Sequence, residues 1–177
     1  MSASSRKKLR WLCICAMLIA LEIVLNRFCS INTAGLKIGF SFVPPMLAAM
    51  LYGPGTSALV YALSDFLGAI LFPIGQYHPG FTVCAACMGV MLGLMLHREH
   101  IFFLQICVPV LVNCLVLGLL VNTVWISQLY GSKTYWGWFL YRLPEYAVLI
   151  PVQLLVAPIL KKLSKILQKS GLAGKVS

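Results

Sequence analysis

The sequence predicts an all-α integral membrane protein with six transmembrane helices and both termini in the cytoplasm. Three observations support this prediction. Hydrophobic residues make up 60% of the chain and charged residues only 10%, and the mean hydropathy is +0.92. Such a composition leaves too little polar surface to cover a soluble domain, whereas helices that face lipid need none. The apolar residues also form long runs, and the basic residues are sorted between the ends of those runs.

The apolar runs define six helices within a single membrane domain, residues 1–177. A helix that crosses a bilayer needs about 20 residues, so the second run is short unless it is tilted or supported by its neighbours. A Gly-Pro turn at Gly53 and Pro54 separates the second run from the third. The predicted helices span residues 11–28, 39–52, 56–72, 81–96, 101–129 and 139–160.

The basic residues follow the positive-inside rule. Clusters precede the first helix and follow the last one, where they orient the chain and meet anionic lipid headgroups. This arrangement accounts for the net charge of +10 without a nucleic-acid partner, and none is predicted. Four basic residues stay on the outer side, against the bias: Arg27, Lys37, Lys133 and Arg142.

The search for catalytic chemistry yields one weak candidate. Cys84 and Cys87 form a Cys-x-x-Cys pair near the predicted start of the fourth helix, where the helix dipole activates thiols. A membrane thiol oxidoreductase therefore stays open as an alternative. Most of the seven cysteines lie in apolar helices, where cysteine behaves as a small hydrophobe. Serine-hydrolase, phosphate-loop and zinc patterns are absent from the sequence. We predict no catalytic residue, no metal ion, no cofactor and no enzymatic activity.

Polar residues inside the apolar runs instead indicate a binding site. They are costly in lipid, so they should face the bundle interior or a wet cavity. An interhelical hydrogen bond or ion pair is the other explanation for Glu22 and Asp65. This group comprises Glu22, Asp65, Asn113, Asn122, Arg142 and Glu145.

The outer basic residues and the aromatic residues near them suggest the chemistry of a ligand. Arg27, Lys37 and Arg142 can form charge-assisted hydrogen bonds with an anion. Flat side chains that could stack on a planar ring follow nearby in the sequence. A ligand that combines a planar ring with carboxylates suits this mixture. The stacking candidates are Phe40, Tyr77, Phe81 and Trp125.

Several segments together resemble a known family. From about residue 12 to residue 163, the sequence is similar to the folate-type substrate-binding (S) component of energy-coupling factor (ECF) vitamin transporters. Ala16 and Ala20 match the small-residue motif through which that family packs against a transmembrane coupling subunit. His78 departs from the family pattern. The resemblance depends on Arg27, on Leu36-Lys37-Ile38-Gly39-Phe40-Ser41-Phe42, on Tyr52-Gly53-Pro54, on Asp65-Phe66-Leu67-Gly68-Ala69 and on Phe72-Pro73-Ile74-Gly75-Gln76-Tyr77-His78-Pro79-Gly80-Phe81.

The resemblance implies a vitamin-capture protein of the bacterial plasma membrane. It would bind folate at the outer face, capped by the loops after helices one and three, and would associate with a coupling subunit and two ATPase subunits. An S component for another vitamin and a stand-alone secondary transporter remain alternatives.

Roles for individual residues follow from the same resemblance. Arg27, Lys37 and Arg142 are the candidates to hold the glutamate carboxylates of folate. Asn122 and Glu145 are the candidates to recognise the pteridine, although Glu145 could instead pair with Arg142, three residues away. The four aromatic side chains named above would stack on the ligand.

Overall fold

In a computed structural model, which describes residues 3–33, 36–73, 75–97 and 103–170, six helices form a bundle. The fifth helix, α5, runs without a break through Phe103–Leu111, Val112–Val121 and Asn122–Tyr130. Five of the helices are long and apolar enough to cross a membrane. The predicted six-helix membrane fold is confirmed. The other helices are α1 (Ala3–Arg27), α2 (Val43–Tyr52), α3 (Pro54–Leu71), α4 (Pro79–Leu96) and α6 (Tyr135–Lys169).

The short second helix is explained by its neighbours. With 10 residues, α2 is only about 15 Å long, which is half of a hydrocarbon core of about 30 Å. It contacts α1, α3, α4 and α6, and Met46, Ala48 and Ala49 are 0% exposed. Because protein surrounds α2, it does not have to match the thickness of the lipid.

The larger apolar cluster contains residues of α2, α4, α5 and α6. Met50 near the end of α2 and Leu96 at the end of α4 belong to the same buried cluster as Ile106, Val110 and Leu160 from α5 and α6. These residues close the half of the bundle that contains the C-terminal ends of α2 and α4. The candidate site lies toward the other end of the bundle, where Phe42 and Tyr146 of the same cluster line it.

The helices α3 and α4 approach each other closely through small residues. A Cβ atom added to Gly89 would lie 2.6 Å from the Cα atom of Ala58, and one added to Gly93 would overlap backbone atoms of Pro54. Glycine at both positions therefore lets the two backbones come together, as small residues do in membrane helix pairs.

We expect the Gly93→Ala variant to be less stable, because the backbone of Pro54 cannot move aside as a flexible side chain can. Overpacking of this kind costs about 1–3 kcal/mol, which would appear as a lower thermal unfolding midpoint in detergent. The Gly55→Ala variant is the matched control, since nothing lies within 4 Å of its added Cβ atom. Equal midpoints for the two variants would contradict this account of the helix pair.

A short β-hairpin, which the sequence analysis did not predict, joins α1 to α2. Strands β1 (Ile31–Thr33) and β2 (Leu36–Ile38) pair antiparallel, with Ile31 opposite Ile38. Strands of three residues are too short to show an alternating pattern. Since β2 contacts α6, the hairpin carries Lys37 to the same end of the bundle as Arg27, the last residue of α1.

The last helix extends past the predicted run 139–160 at both ends. Near its C-terminus, Lys161 Nζ donates to the Leu96 carbonyl (3.3 Å) and Gln168 Nε2 to the Met50 carbonyl (3.5 Å). These bonds satisfy carbonyl groups at the ends of α4 and α2 that lack helical partners. The three prolines inside α6, Pro144, Pro151 and Pro158, recur every seven residues and are all exposed.

Candidate ligand-binding site

A cavity of about 710 Å³ lies among the helices, with residues of α1, α3, α4, α5, α6 and β2, and of the segment between β2 and α2, in its wall. At one end it is lined by Arg27, Lys37 and Tyr77, which lie where α1, the hairpin and the α3–α4 loop meet. At the other end it reaches Leu92 and Gln153, in the interior of α4 and α6. The cavity thus opens at one end of the bundle and closes within it, which is typical of a ligand pocket.

The part of the cavity wall that α1 forms contains one acidic and one basic side chain, Glu22 and Arg27. Glu22 is 1% exposed, and its Oε1 atom accepts a hydrogen bond from Asn26 Nδ2 at 2.6 Å. Its Oε2 atom has no partner among the described residues. The Arg27 guanidinium lies against Gly68, where a Cβ atom would be 3.2 Å from Nε. Within the same described residues, Arg27 Nε also lacks a hydrogen-bond partner.

Lys37 brings a second cation to this end of the cavity. Burial lowers the pKa of Lys37 below its ordinary value, and the nearby Glu22 carboxylate opposes that shift. The backbone N–H of Lys37 donates to the Glu145 carboxylate, which ties the hairpin to α6. Lys37 is therefore placed by its strand, while its side chain lines the cavity.

Arg142 is bonded on several sides to protein groups. Its Nε atom donates to Glu145 Oε2 at 3.3 Å, Nη1 donates to Thr123 Oγ1 at 3.1 Å, and Nη2 donates to Tyr146 Oη at 2.8 Å. The two side chains of the ion pair are 6% and 4% exposed. This cation forms an ion pair inside the bundle, and it holds α5 against α6.

A π-helical stretch in α5 provides the acceptor for a fourth hydrogen bond from Arg142. The N–H of Asn122 donates to the Leu117 carbonyl, five residues back. When a helix returns from this pattern to α pairing, one carbonyl is skipped and needs another donor. The next carbonyl, that of Gly118, accepts from Arg142 Nη1 at 3.2 Å. Arg142 thereby satisfies the irregular backbone of α5.

The start of α4 is fixed by His78 and Trp125. His78 is the N-cap residue, and its Nδ1 atom accepts the N–H of Gly80 at 3.0 Å. The indole of Trp125 stacks on the His78 ring at 4.8 Å with an interplanar angle of 19°. A Cβ atom on residue 80 would meet that indole. His78 thus has a structural role at the end of the α3–α4 loop.

The structure brings most of the predicted site residues to one cavity and leaves two outside its wall. Phe40 is 51% exposed and packs on the ring of Phe42, which lines the cavity in its place. Trp125 stacks on the ring of His78 and is not part of the cavity wall. The predicted residues in the cavity wall are Arg27, Lys37, Tyr77, Phe81, Asn122, Arg142 and Glu145.

Several lining residues were missed as site residues. The sequence analysis had placed Glu22, Asp65 and Asn113 among the polar residues that indicate a binding site but gave them no role toward the ligand, and the same signal would have identified Gln153. Tyr61 and Tyr146 gave no signal, because aromatic residues are common throughout membrane helices. The lining residues that the prediction omitted include Glu22, Asn26, Phe42, Tyr61, Asp65, Asn113, Tyr146 and Gln153.

Two other predicted groups, the Ala16/Ala20 pair and the Cys-x-x-Cys pair, are not part of the cavity wall. Ala16 and Ala20 are exposed on the surface of α1, where a partner helix can reach them. Of the Cys-x-x-Cys pair, Cys84 is buried and Cys87 is exposed, and both are free thiols. The Cys84 Sγ atom lies 3.9 Å from the Leu117 carbonyl of α5, so this thiol packs between helices.

A charged cavity that opens at one end of a membrane-embedded helical bundle defines a membrane protein that captures a small polar molecule. The sequence matches the family described as "ECF transporter, substrate-specific component" over residues 10–161. The chain belongs to that family, whose members are transport proteins and not enzymes.

Similar proteins with names and structures support the assignment. The "Folate transporter FolT" of Clostridium novyi (strain NT) is 35% identical over 150 residues, which cover 85% of this chain and 87% of that protein. The protein of the same name from Leuconostoc mesenteroides subsp. mesenteroides is 29% identical over 143 residues, covering 78% and 77%. The "Crystal structure of FolT bound with folic acid" superposes with a TM-score of 0.79 at 28% identity, covering 85% of this chain and 90% of the other.

Proposed function

We propose that this protein binds folate in the cavity and is the substrate-specific subunit of an ATP-driven ECF importer in a bacterial plasma membrane. The main observation is the pair of cations, Arg27 and Lys37, at the open end of a cavity of about 710 Å³. Folate has two carboxylates at one end and a planar pteridine at the other. The two named relatives and the folic-acid-bound structure agree with this choice of ligand.

The glutamate of folate would lie at the open end, against Arg27 and Lys37. Arg27 Nε has no partner among the described residues, so it can donate to a carboxylate without giving up a hydrogen bond to any of them. Arg142 was predicted as a third carboxylate ligand, but it donates to Glu145, Gly118, Thr123 and Tyr146. We therefore assign Arg142 to the scaffold of the cavity and Arg27 and Lys37 to the ligand.

The pteridine would lie deeper in the cavity. Asn113 Oδ1 and Asn122 Oδ1 are buried and have no partner in the part of the chain that the structure describes. Each can accept a hydrogen bond from an amino or ring N–H group of the pteridine. Tyr61 and Phe81 also line the cavity and offer aromatic faces. Glu145, predicted to recognise the pteridine, accepts from Arg142 in this structure.

Binding of folic acid to the purified protein, by calorimetry or by quenching of its tryptophan fluorescence, tests the ligand assignment. We expect saturable one-to-one binding, and mass spectrometry should find folate carried through purification. Pteroic acid, which lacks the glutamate, should bind about 10- to 100-fold more weakly, since each hydrogen bond to a charged group contributes about 1.5–3 kcal/mol. Saturable binding of a different vitamin, with none of folic acid, would reject the assignment.

The affinity for folic acid should fall at alkaline pH because of Lys37. Burial places the pKa of unliganded Lys37 below its ordinary value, and a bound carboxylate favours the ammonium and raises that pKa again. Binding is therefore strongest below the unliganded pKa of Lys37 and weakens as the pH rises through it, with proton uptake in that window. Calorimetry over a pH series measures both effects.

The Lys37→Arg variant is the control for this pH dependence, because a guanidinium stays charged throughout the accessible range. We expect the alkaline loss of affinity to disappear in this variant. If it persists unchanged, another group is responsible.

Transport would need other subunits. The basic ends of α1 and α6 favour a cytoplasmic position for both termini. Ala16 and Ala20 on the exposed surface of α1 would contact the coupling subunit, which two ATPase subunits would drive. Uptake of labelled folate into cells that express this chain with and without the coupling subunit and ATPases tests this. Equal uptake in both would favour a stand-alone secondary transporter.

A further inference from the structure

The guanidinium of Arg27 packs against the backbone of α3 at Gly68. A Cβ atom added to Gly68 would lie 3.2 Å from Arg27 Nε, 3.3 Å from Nη2 and 3.7 Å from Cζ, and no atom outside the local backbone of α3 would be nearer. The two nitrogen distances are shorter than an ordinary van der Waals contact of a Cβ atom. Any side chain at residue 68 would therefore push the guanidinium away from α3.

The backbone of α3 does not itself require a glycine at residue 68. Gly68 is buried within the helix, and its φ angle is not positive, in contrast to that of Gly53 before the helix. Alanine is more favourable than glycine in a helix. The structural reason for glycine at this position is therefore the space that it leaves for Arg27.

Other contacts hold α1 and α3 together around this point. Phe28, next to Arg27 in the chain, meets Phe72 edge-to-face at 5.2 Å with an interplanar angle of 74°. Asp65 lies one turn before Gly68 on the same side of α3. Among the charged groups that act on Arg27, Asp65 has the largest effect. The guanidinium is thus held toward α3 by charge, at the position where glycine leaves room for it.

We propose that Gly68 is a positioning residue, which holds the Arg27 guanidinium where it can bind a carboxylate of the ligand. This inference rests on the proposed function and adds a residue that acts only through Arg27, because Gly68 is not part of the described cavity wall. A displaced guanidinium would keep its charge, but its N–H groups would no longer point at the carboxylate. Part of the affinity would then be lost.

The Gly68→Ala variant tests this role in binding. We expect its affinity for folic acid to fall about three- to tenfold, because the hydrogen bonds to the carboxylate are weakened and not removed. Its affinity for pteroic acid, which lacks the glutamate, should stay parental. The matched control is Gly55→Ala, also on α3, since nothing lies within 4 Å of its added Cβ atom. An equal loss for both ligands, or none for folic acid, would overturn the proposal.

A double-mutant cycle with Arg27→Ala separates positioning from a general effect on the helix. The Arg27→Ala/Gly68→Ala variant should bind folic acid as Arg27→Ala alone does, because no guanidinium remains to be displaced. A purely structural role of Gly68 would instead reduce the affinity by the same factor in both backgrounds. Additive losses would therefore contradict the proposal.

The unfolding midpoints of the four unliganded proteins in detergent provide a measurement that does not depend on the ligand. Gly68→Ala should raise the midpoint in the Arg27→Ala background, because alanine favours the helix. In the parent background the contact with the guanidinium should reduce or cancel this gain. If the parent fails to bind folic acid but the gains differ, the proposed function fails and the contact between Gly68 and Arg27 stands. If the parent binds folic acid and the gains are equal, the positioning role is wrong and the proposed function stands.

Discussion

The Arg27→Ala variant should lose about 100-fold in affinity for folic acid. Arg27 lines the open end of the cavity, and its Nε atom has no partner among the described residues. A carboxylate bound there would receive charge-assisted hydrogen bonds, each contributing about 1.5–3 kcal/mol. Two such bonds support an effect of this size, which calorimetry or a fluorescence titration can measure.

Pteroic acid separates a direct contact from general damage to the site. If Arg27 binds the glutamate, the parent and the Arg27→Ala variant should bind pteroic acid with similar affinity. An equal loss for both ligands would mean that Arg27 acts elsewhere. The matched control is Lys133→Ala, because Lys133 is an exposed cation outside the described cavity wall, over the rings of Trp138 and Tyr141. Its affinity for folic acid should be that of the parent.

The number of helices was predictable from the sequence. Which face of each helix points into the bundle was only partly predictable. In a membrane helix, apolar residues can face either lipid or protein, so hydrophobic periodicity does not reveal which side is inside. Polar residues do reveal it. On α6, the spacing of Arg142, Glu145 and Gln153 marks one face, and all three line the cavity. Phe40 and Trp125 had no such marker, and the structure places them outside its wall.

The irregular parts of the backbone also escaped prediction, for reasons specific to each. The hairpin strands have three residues each, too few for a periodic signal. The π-helical stretch Val112–Val121 has the same apolar composition as an α-helix. Its skipped carbonyl is satisfied by a side chain from another helix, Arg142. That requirement exists only after α5 and α6 have packed, so no local sequence pattern contains it.

The Arg142→Met variant should be strongly destabilised, with or without ligand. The substitution leaves Glu145 as an uncompensated charge whose side chain is 4% exposed, and breaking a buried pair in this way costs about 3–5 kcal/mol. It also removes the donor to the Gly118 carbonyl. We expect a much lower unfolding midpoint in detergent, whereas Lys133→Met, which removes an exposed cation, should melt near the parent.

The double variant Arg142→Met/Glu145→Leu distinguishes a structural cation from a ligand-binding one. Removing both charges eliminates the unpaired carboxylate, so part of the lost stability should return. Recovery should stay incomplete, because the Gly118 carbonyl and the Tyr146 hydroxyl still lack their Arg142 partner. If Arg142→Met instead melts like the parent and loses only folic acid affinity, Arg142 belongs with Arg27 as a carboxylate ligand, and the scaffold role is wrong.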